Sequence, residues 1–310
     1  MSDIAAGVDL PTHDLSSTAT VAFVGLGNMG APMARRLLDA GHRVIGFDLS
    51  ENAVQRFTEQ GGLAATSAAA AASDADVTIL MLPSSAVVES VLDDGLAAVL
   101  RPGAVVVDMS SSEPMRTRAL ARRIADERGV DLIDAPVSGG VRGAVNGTLT
   151  IMVGGPPSAV SAALPILELL GRPTRVGDIG AGHALKALNN LLSATHLLVT
   201  SEAILAGERF GLDPEVMLTV INGSSGRSGS TENKWPNFIL PKTYDSGFAL
   251  NLMLKDMRIA TDLARQLGLP SVLGENAVAL WSQASETLEP TADHTEIARW
   301  VTDSGNPEIV

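Results

Sequence analysis

A glycine-rich turn placed between a strand and a helix restricts what this chain can fold into more than any other stretch of it. Residues 21–24 form a short apolar run, Gly25, Leu26, Gly27, Asn28, Met29 and Gly30 follow in the spacing G-x-G-x-x-G, and 32–40 has the pattern of a helix closed by Gly41. In that setting Gly25 permits the tight turn and Gly27 lets the backbone approach a pyrophosphate. Gly30 lets the helix pack on the strand, and the helix N-terminus faces the phosphates. The same glycine spacing also serves ordinary tight turns, so a second element matters. Asp48, at the end of a strand over 43–47, stands where an acidic group accepts hydrogen bonds from an adenosine ribose. The two together read as a dinucleotide site. A carboxylate there repels a 2′-phosphate, which favours NAD over NADP. The plain alternative for Asp48 is a turn or helix-capping role, for which Ser50 competes.

The alternation of short β-rich runs and helical stretches continues to about residue 176, with further strands over 77–82, 104–107 and 131–135. The alanine-rich tract 64–72 reads as a short helix lying close on the sheet, since alanine combines high helix propensity with little bulk. After Gly182 the β signals nearly vanish. Amphipathic stretches over 183–209, 214–221, 250–267 and 270–287 are separated by turn-forming clusters at 222–230 and 236–247. The expected fold is α/β: an N-terminal Rossmann-type doubly wound sheet and an all-helical C-terminal domain, joined by a long interdomain helix. The expected divisions are an N-terminal extension over 1–19, a dinucleotide-binding domain over 20–182, and a helical substrate and oligomerisation domain over 183–310.

A formal net charge of −13 repels phosphate backbones and anionic membrane surfaces, so neither nucleic acid nor membrane is an expected partner. The absence of cysteine excludes disulfides, thiolate nucleophiles and Cys-ligated zinc. The first twenty residues are polar and acidic and lack the pattern of a signal peptide. The apolar stretch 185–210 is interrupted by Lys186, Asn189, Asn190, His196, Glu202, Glu208 and Arg209, and reads as a buried helix rather than a membrane span. The expected compartment is the cytoplasm.

Lys186 and Asn190 lie four residues apart near the start of that helix and share one face, where an amine and an amide can converge on one substrate oxygen. The same pair also occurs on solvated helices. Upstream, Asp134, Ala135, Pro136, Val137, Ser138, Gly139 and Gly140 follow a strand; successive N–H groups at such a turn, with the serine hydroxyl, suit a carboxylate. A simple glycine turn is the alternative there. The five histidines form no H-x-x-x-H pair and no G-x-S-x-G elbow is present, which speaks against metal-dependent dehydrogenation and serine hydrolysis. His196, on the long helix, reads as a core or interface residue.

Four blocks in this order resemble the β-hydroxyacid dehydrogenase family: Gly25 to Gly30, Asp134 to Gly140, the run from Gly177 to Asn190, and Lys255, Asp256 and Met257. Leu82 and Pro83 after a strand, and Asp108 to Ser111 with Pro114, fit as well; Ser111 replaces the family's usual Thr and keeps the hydroxyl. The resemblance implies oxidation of an alcohol β to a carboxylate by NAD, or the reverse reduction. It implies Lys186 as general acid/base and Asn190 as a hydrogen-bonding substrate ligand. Ser138, Gly139 and Gly140 would hold the carboxylate, Lys255 would close the site beside the cofactor, and Phe248 would lie near the substrate. Leu82, Pro83 and Ser111 would join the glycine turn around the cofactor.

Asn189 stands where the related 6-phosphogluconate dehydrogenases carry His, and the imine-reducing relatives lack the lysine. Ser224, Ser225, Gly226 and Arg227 resemble a stretch of the 3-hydroxyisobutyrate dehydrogenases, although such a loop also suits an interdomain or subunit contact. The expected substrate is a small carboxylate of the 3-hydroxyisobutyrate kind. Reduction of tartronate semialdehyde or another short aldehyde acid, and a non-catalytic NAD-binding role, are the alternatives. The apolar helix over 183–209 implies a homodimer or homotetramer sharing it. Nothing in the tail after Glu286, or in Arg142 and Arg227, specifies a role.

Overall fold

Runs of four or five β-branched and aliphatic residues, each apolar on both sides, demand cover on two faces, and the first unit provides it. The computed structural model describes residues 18–304, and the chain divides into units Met1–His183 and Ala184–Val310. The extension expected over 1–19 lies, up to residue 17, outside the described residues.

The sheet of the first unit is built from β1 (Thr20–Val24), β2 (Arg43–Phe47), β3 (Leu63–Ala64), β4 (Val77–Leu80), β5 (Val105–Asp108), β6 (Asp131–Asp134), β7 (Val137–Ser138), β8 (Leu149–Gly154) and β9 (Gly171–Gly177). Its order is β3-β2-β1-β4-β5-β6-β8-β7, with β9 pairing β8. The strands from β3 to β6 are parallel, so the sequence turns back between β1 and β4, and the loops at their carboxyl ends open the crevice where doubly wound sheets bind ligands. Phe23, Ile79, Val107 and Ile133 pack on one face with Met33 and Leu37, and Val24, Leu80, Val106 and Leu132 on the other with Val88, Leu120 and Ile124.

Several local expectations change. β4 stops at Leu80, because Leu82 N donates instead to Ser110 Oγ at 2.9 Å. The alanine tract is helical only over Ala68–Ala72; Leu63–Ala64 extends the sheet, and Ala65 N donates to the Gly46 carbonyl, which prevents an earlier helical turn. Ser67 Oγ then caps the helix by accepting from Ala70 N at 3.0 Å. The antiparallel pairing of β8 with β6 and β7 was not foreseen.

Buried Asp134 closes the first unit. Its two carboxylate oxygens accept from Gly180 N at 2.7 Å and His183 N at 2.8 Å, satisfying otherwise orphan donors at the start of the thirty-residue helix Ala181–Phe210. Gly182 allows this approach, since a Cβ there would lie 2.1 Å from the Met152 carbonyl oxygen.

The second unit continues that helix and adds Pro214–Asn222, Leu250–Gln266, Val272–Thr287 and Ile297–Ser304 around Trp235, Met257, Trp281 and Ile297. Proline at 236 predicts an irregular connection, yet Ser230–Ile239 forms a wide π-helical segment that contains it; burial of Trp235 and Ile239 on the core outweighs the local preference. Among the described residues no helix is long and apolar enough to cross a membrane. Asp134→Ala is expected to destabilise the protein by about 2–4 kcal/mol in urea unfolding, because it strands two buried N–H groups at once.

Candidate active site

The glycines of the first turn divide by what they tolerate. Gly25 has φ +99°, and a Cβ on it would stand 2.2 Å from the Met81 carbonyl oxygen; one on Gly30 would stand 1.9 Å from the Gly25 carbonyl oxygen. The fold itself requires both. Gly27 is exposed, and a Cβ there would meet nothing within 4 Å. Open space beside a glycine that the fold does not need fits a ligand backbone such as a pyrophosphate. The helix Gly30–Asp39 starts beside it with no side-chain cap at Met29, and Asn28 is exposed.

Asp48 follows β2. Its Oδ2 accepts from Leu26 N at 2.7 Å and its Oδ1 from Ser50 N at 2.8 Å, so the carboxylate braces the glycine turn and also takes the turn role foreseen as its alternative. Ser50 itself caps the next helix, accepting from Ala53 N. Leu82 and exposed Pro83 follow β4, and Ser111 follows β5. Ser110, beside Ser111, ties these two loops together through Leu82 N, while Asp108 accepts from Ser110 N and Ser112 Oγ. Ser138 ends β7, and the chain then turns through Gly139 (φ 130°) and Gly140 (φ 60°), conformations that favour glycine. All these residues sit at or just beyond the ends of strands of one sheet.

In the second unit, Lys186 and Asn190 are both buried on one face of the long helix. Asn190 Nδ2 donates to Asp256 Oδ2 at 2.7 Å and its Oδ1 accepts from Asn189 Nδ2 at 3.2 Å, which fixes the amide orientation. Asp256, buried, also faces Lys255 Nζ at 3.3 Å. The Lys186 amine makes no hydrogen bond to any described residue and lies 6.0 Å from the centre of the Phe248 ring. Burial lowers its pKa from the ordinary 10.5; Asp256 opposes the shift and Lys255 adds to it.

Phe248 is held by a part of the chain whose role the sequence did not reveal. Asp293 accepts from Gly247 N, Phe248 N, Ser246 Oγ, Thr295 N and Thr295 Oγ1. Burial tends to raise the Asp293 pKa, but hydrogen bonds from His294 and Thr295 hold it well below the usual carboxylate range. The His294 ring packs edge-on against Phe248 at 5.7 Å, and its Nδ1 lies 3.1 Å from the Phe248 carbonyl oxygen, to which it can only donate. Asp293 and Glu296, three residues apart before an amphipathic helix, form the pattern of a capping box that would have marked this anchor. Asp256 was legible as a charge among the apolar positions 253, 257 and 260 of its helix.

Arg227 is exposed and pairs with Glu232 at 3.0 Å, Arg142 is exposed, and exposed His196 is not a core residue.

Residues 20–180 match the family described as the NAD binding domain of 6-phosphogluconate dehydrogenase, and residues 180–301 the family described as NAD-binding of NADP-dependent 3-hydroxyisobutyrate dehydrogenase. The chain is 42% identical to the 3-hydroxyisobutyrate dehydrogenase of Pseudomonas aeruginosa, over 84% of this chain and 91% of that protein. The chain belongs to the β-hydroxyacid dehydrogenase family.

As a β-hydroxyacid dehydrogenase it is an oxidoreductase acting on a hydroxyl-bearing acid, with a domain that binds a nicotinamide dinucleotide. It is also 39% identical to the 2-(hydroxymethyl)glutarate dehydrogenase of Eubacterium barkeri, over 83% of this chain and 86% of that one. The structure of Mycobacterium tuberculosis 3-hydroxyisobutyrate dehydrogenase with L-serine superposes with a TM-score of 0.87 at 33% identity, covering 92% of this chain and 99% of that one. The contrast between the glycines gives a direct test. Gly30→Ala is expected to destabilise the dehydrogenase by about 2–4 kcal/mol. Gly27→Ala is expected to change thermal stability by less than about 0.5 kcal/mol, yet weaken dinucleotide binding by about tenfold or more in calorimetry.

Proposed function

We propose that this dehydrogenase oxidises a small 3-hydroxy acid of the 3-hydroxyisobutyrate kind, with NAD as cofactor and Lys186 as the general acid/base. The observation that carries the reading is the Lys186 amine: buried, free of hydrogen bonds to described residues, and shifted by burial towards its neutral form. Oxidation of an alcohol removes a hydride from carbon and a proton from oxygen, and the proton needs a base within hydrogen-bond reach. When bound, the nicotinamide supplies the hydride acceptor. Lys186 takes the hydroxyl proton as the carbonyl forms, and returns it in the reductive direction.

Asn190 would hold the reacting oxygen by its second amide hydrogen, since the first is committed to Asp256. Lys255 lowers the proton affinity of Lys186 and would complete the substrate environment with Phe248. Ser138, Gly139 and Gly140 would bind the carboxylate through the serine hydroxyl and the backbone of the turn. Asp48 supports NAD over NADP because its carboxylate, held beside the glycine turn, repels a 2′-phosphate. Leu26, Asn28, Met29, Leu82, Pro83 and Ser111 would line the cofactor.

Lys186→Ala is expected to lower kcat by about 10²–10⁴-fold with the dinucleotide still bound, read by nicotinamide absorbance against a panel of 3-hydroxy acids with NAD and with NADP. The sign of the pH effect follows from the lowered pKa. Below that value Lys186 is an ammonium and cannot accept a proton, so oxidation rises with pH through a value under 10.5 and reduction falls. A flat oxidative profile, with hydride transfer rate-limiting, would remove Lys186 from the role of base.

The reading extends to assembly. Leu185, Leu188, Leu192 and Val199 are exposed and repeat with the three- and four-residue spacing of a self-pairing helical seam, and His196 shares that face. A second copy of the chain is the occupant such a repeat fits, in a homodimer or homotetramer. Light scattering at micromolar concentration is expected to give a dimer or larger, and Leu192→Glu to shift it towards monomer.

A further inference from the structure

On the Lys186 face of the long helix the next outward position after Asn190 is Ser193, and it carries a second lysine. Lys234, from the π-helical segment, donates its Nζ to Ser193 Oγ at 2.7 Å. The lysine forms no ion pair with any described carboxylate, and a neutral hydroxyl is its one hydrogen-bond partner among the described residues. Its side chain is only partly buried, yet desolvation lowers its pKa to about 8 against the pull of Asp293. The ammonium keeps contact with solvent. It remains charged at neutral pH with two of its three donors uncommitted to described groups.

Fold maintenance does not require such an arrangement. A partly desolvated cation whose direct partner is a neutral hydroxyl, with Asp293 acting on it only at a distance, generally weakens a fold, and an apolar side chain of the same length would fill the position better. A ligand anion would supply the missing partner. Lys186, Asn190 and Ser193 stand at i, i+4 and i+7, so the helix rises about 10 Å from the first to the last. Lys186 and the Ser193-bound Lys234 thereby serve positions of one helix face, so that one ligand with two polar ends can meet both.

We propose that Lys234, anchored on Ser193, is a specificity-determining residue that binds a second carboxylate of the substrate, which narrows the 3-hydroxyisobutyrate-like acids of the proposed function to those bearing a distal carboxylate. The proposal rests on the reading of Lys186 as the group at the reacting hydroxyl. Lys234 touches the far end of the substrate and takes no part in proton transfer.

The test uses the intact enzyme with cofactor. Steady-state kinetics would compare 2-(hydroxymethyl)glutarate and 2-(hydroxymethyl)succinate with 3-hydroxyisobutyrate, and calorimetry would compare glutarate with butyrate as non-reacting probes. In the wild type glutarate is expected to bind at least about tenfold more tightly than butyrate. Lys234→Met is expected to raise Tm, and to lower the ratio of dicarboxylate to monocarboxylate kcat/KM by at least about tenfold, mainly through KM. Lys234→Arg, which keeps the charge, should restore most of that ratio.

Equal binding of glutarate and butyrate by the wild type, or a ratio indifferent to Lys234→Met, would overturn the proposal. Should the Met variant fail to fold, the wild-type comparison of the two probes still decides. The two readings fail separately. Lys234-dependent glutarate binding without turnover of any hydroxy acid would keep the anion site and sink the dehydrogenation reading. Lys186-dependent turnover with no preference for a second carboxylate would do the reverse.

Discussion

Removing an ammonium from water is the physical constraint around which the second unit is arranged. Burial pushes Lys186 towards its neutral form, and the groups nearest it adjust that push without cancelling it: Lys255 adds to it and Asp256 opposes it. Asp256 serves two neighbours at once, accepting from Asn190 and facing Lys255. The amide beside the lysine is thereby fixed in orientation, and the charge next to it is partly neutralised. An amine prepared in this way suits the role of proton acceptor proposed for it, because burial has moved its pKa below the ordinary value.

The supporting structure follows a consistent physical logic. Carboxylates, rather than hydrophobic contacts alone, pin the segments that carry the candidate site residues. Asp134 satisfies the first N–H groups of the long helix, Asp48 braces the glycine turn through Leu26, and Asp293 gathers five donors to hold Phe248 in place. Each one pairs a negative charge with backbone donors that would otherwise lack partners, at a helix start or a tight turn. Much of the acidic excess is surface charge, but these three aspartates are structural.

Legibility in the sequence varied with the range of the interaction that decided each feature. The glycine turn, β1, β2 and the long helix could be read because local steric and periodic rules specify them. The short helix expected in the alanine tract forms, but it starts only at Ala68, because a hydrogen bond from Ala65 to Gly46, nineteen residues away, draws the first residues of the tract to the sheet. Pro236 suggested irregular chain, whereas burial of Trp235 and Ile239 produced a helical segment around it. Lys186, Asn190 and Lys255 stood out as motif residues with a role, Asp256 lay in the same motif without one, and Lys234 and the Asp293–His294 anchor did not stand out. Their importance comes from partners tens of residues distant, and only a capping-box spacing and one charge on an apolar helix face hinted at them.

The sequence by itself determined the class of the protein: a dinucleotide-binding sheet, a helical second region, and an amine and an amide on one helix face. Those features depend on steric demands and spacings within a few residues of chain. The tertiary structure alone decided the state of the chemical groups. Whether Lys186 is solvated or buried, whether Gly27 faces protein or open space, and whether Lys234 finds a carboxylate or only Ser193 depend on which distant segments surround them. Proton affinity and ligand charge are set by that surrounding volume, because solvation and Coulomb interactions act through space and take no account of sequence separation.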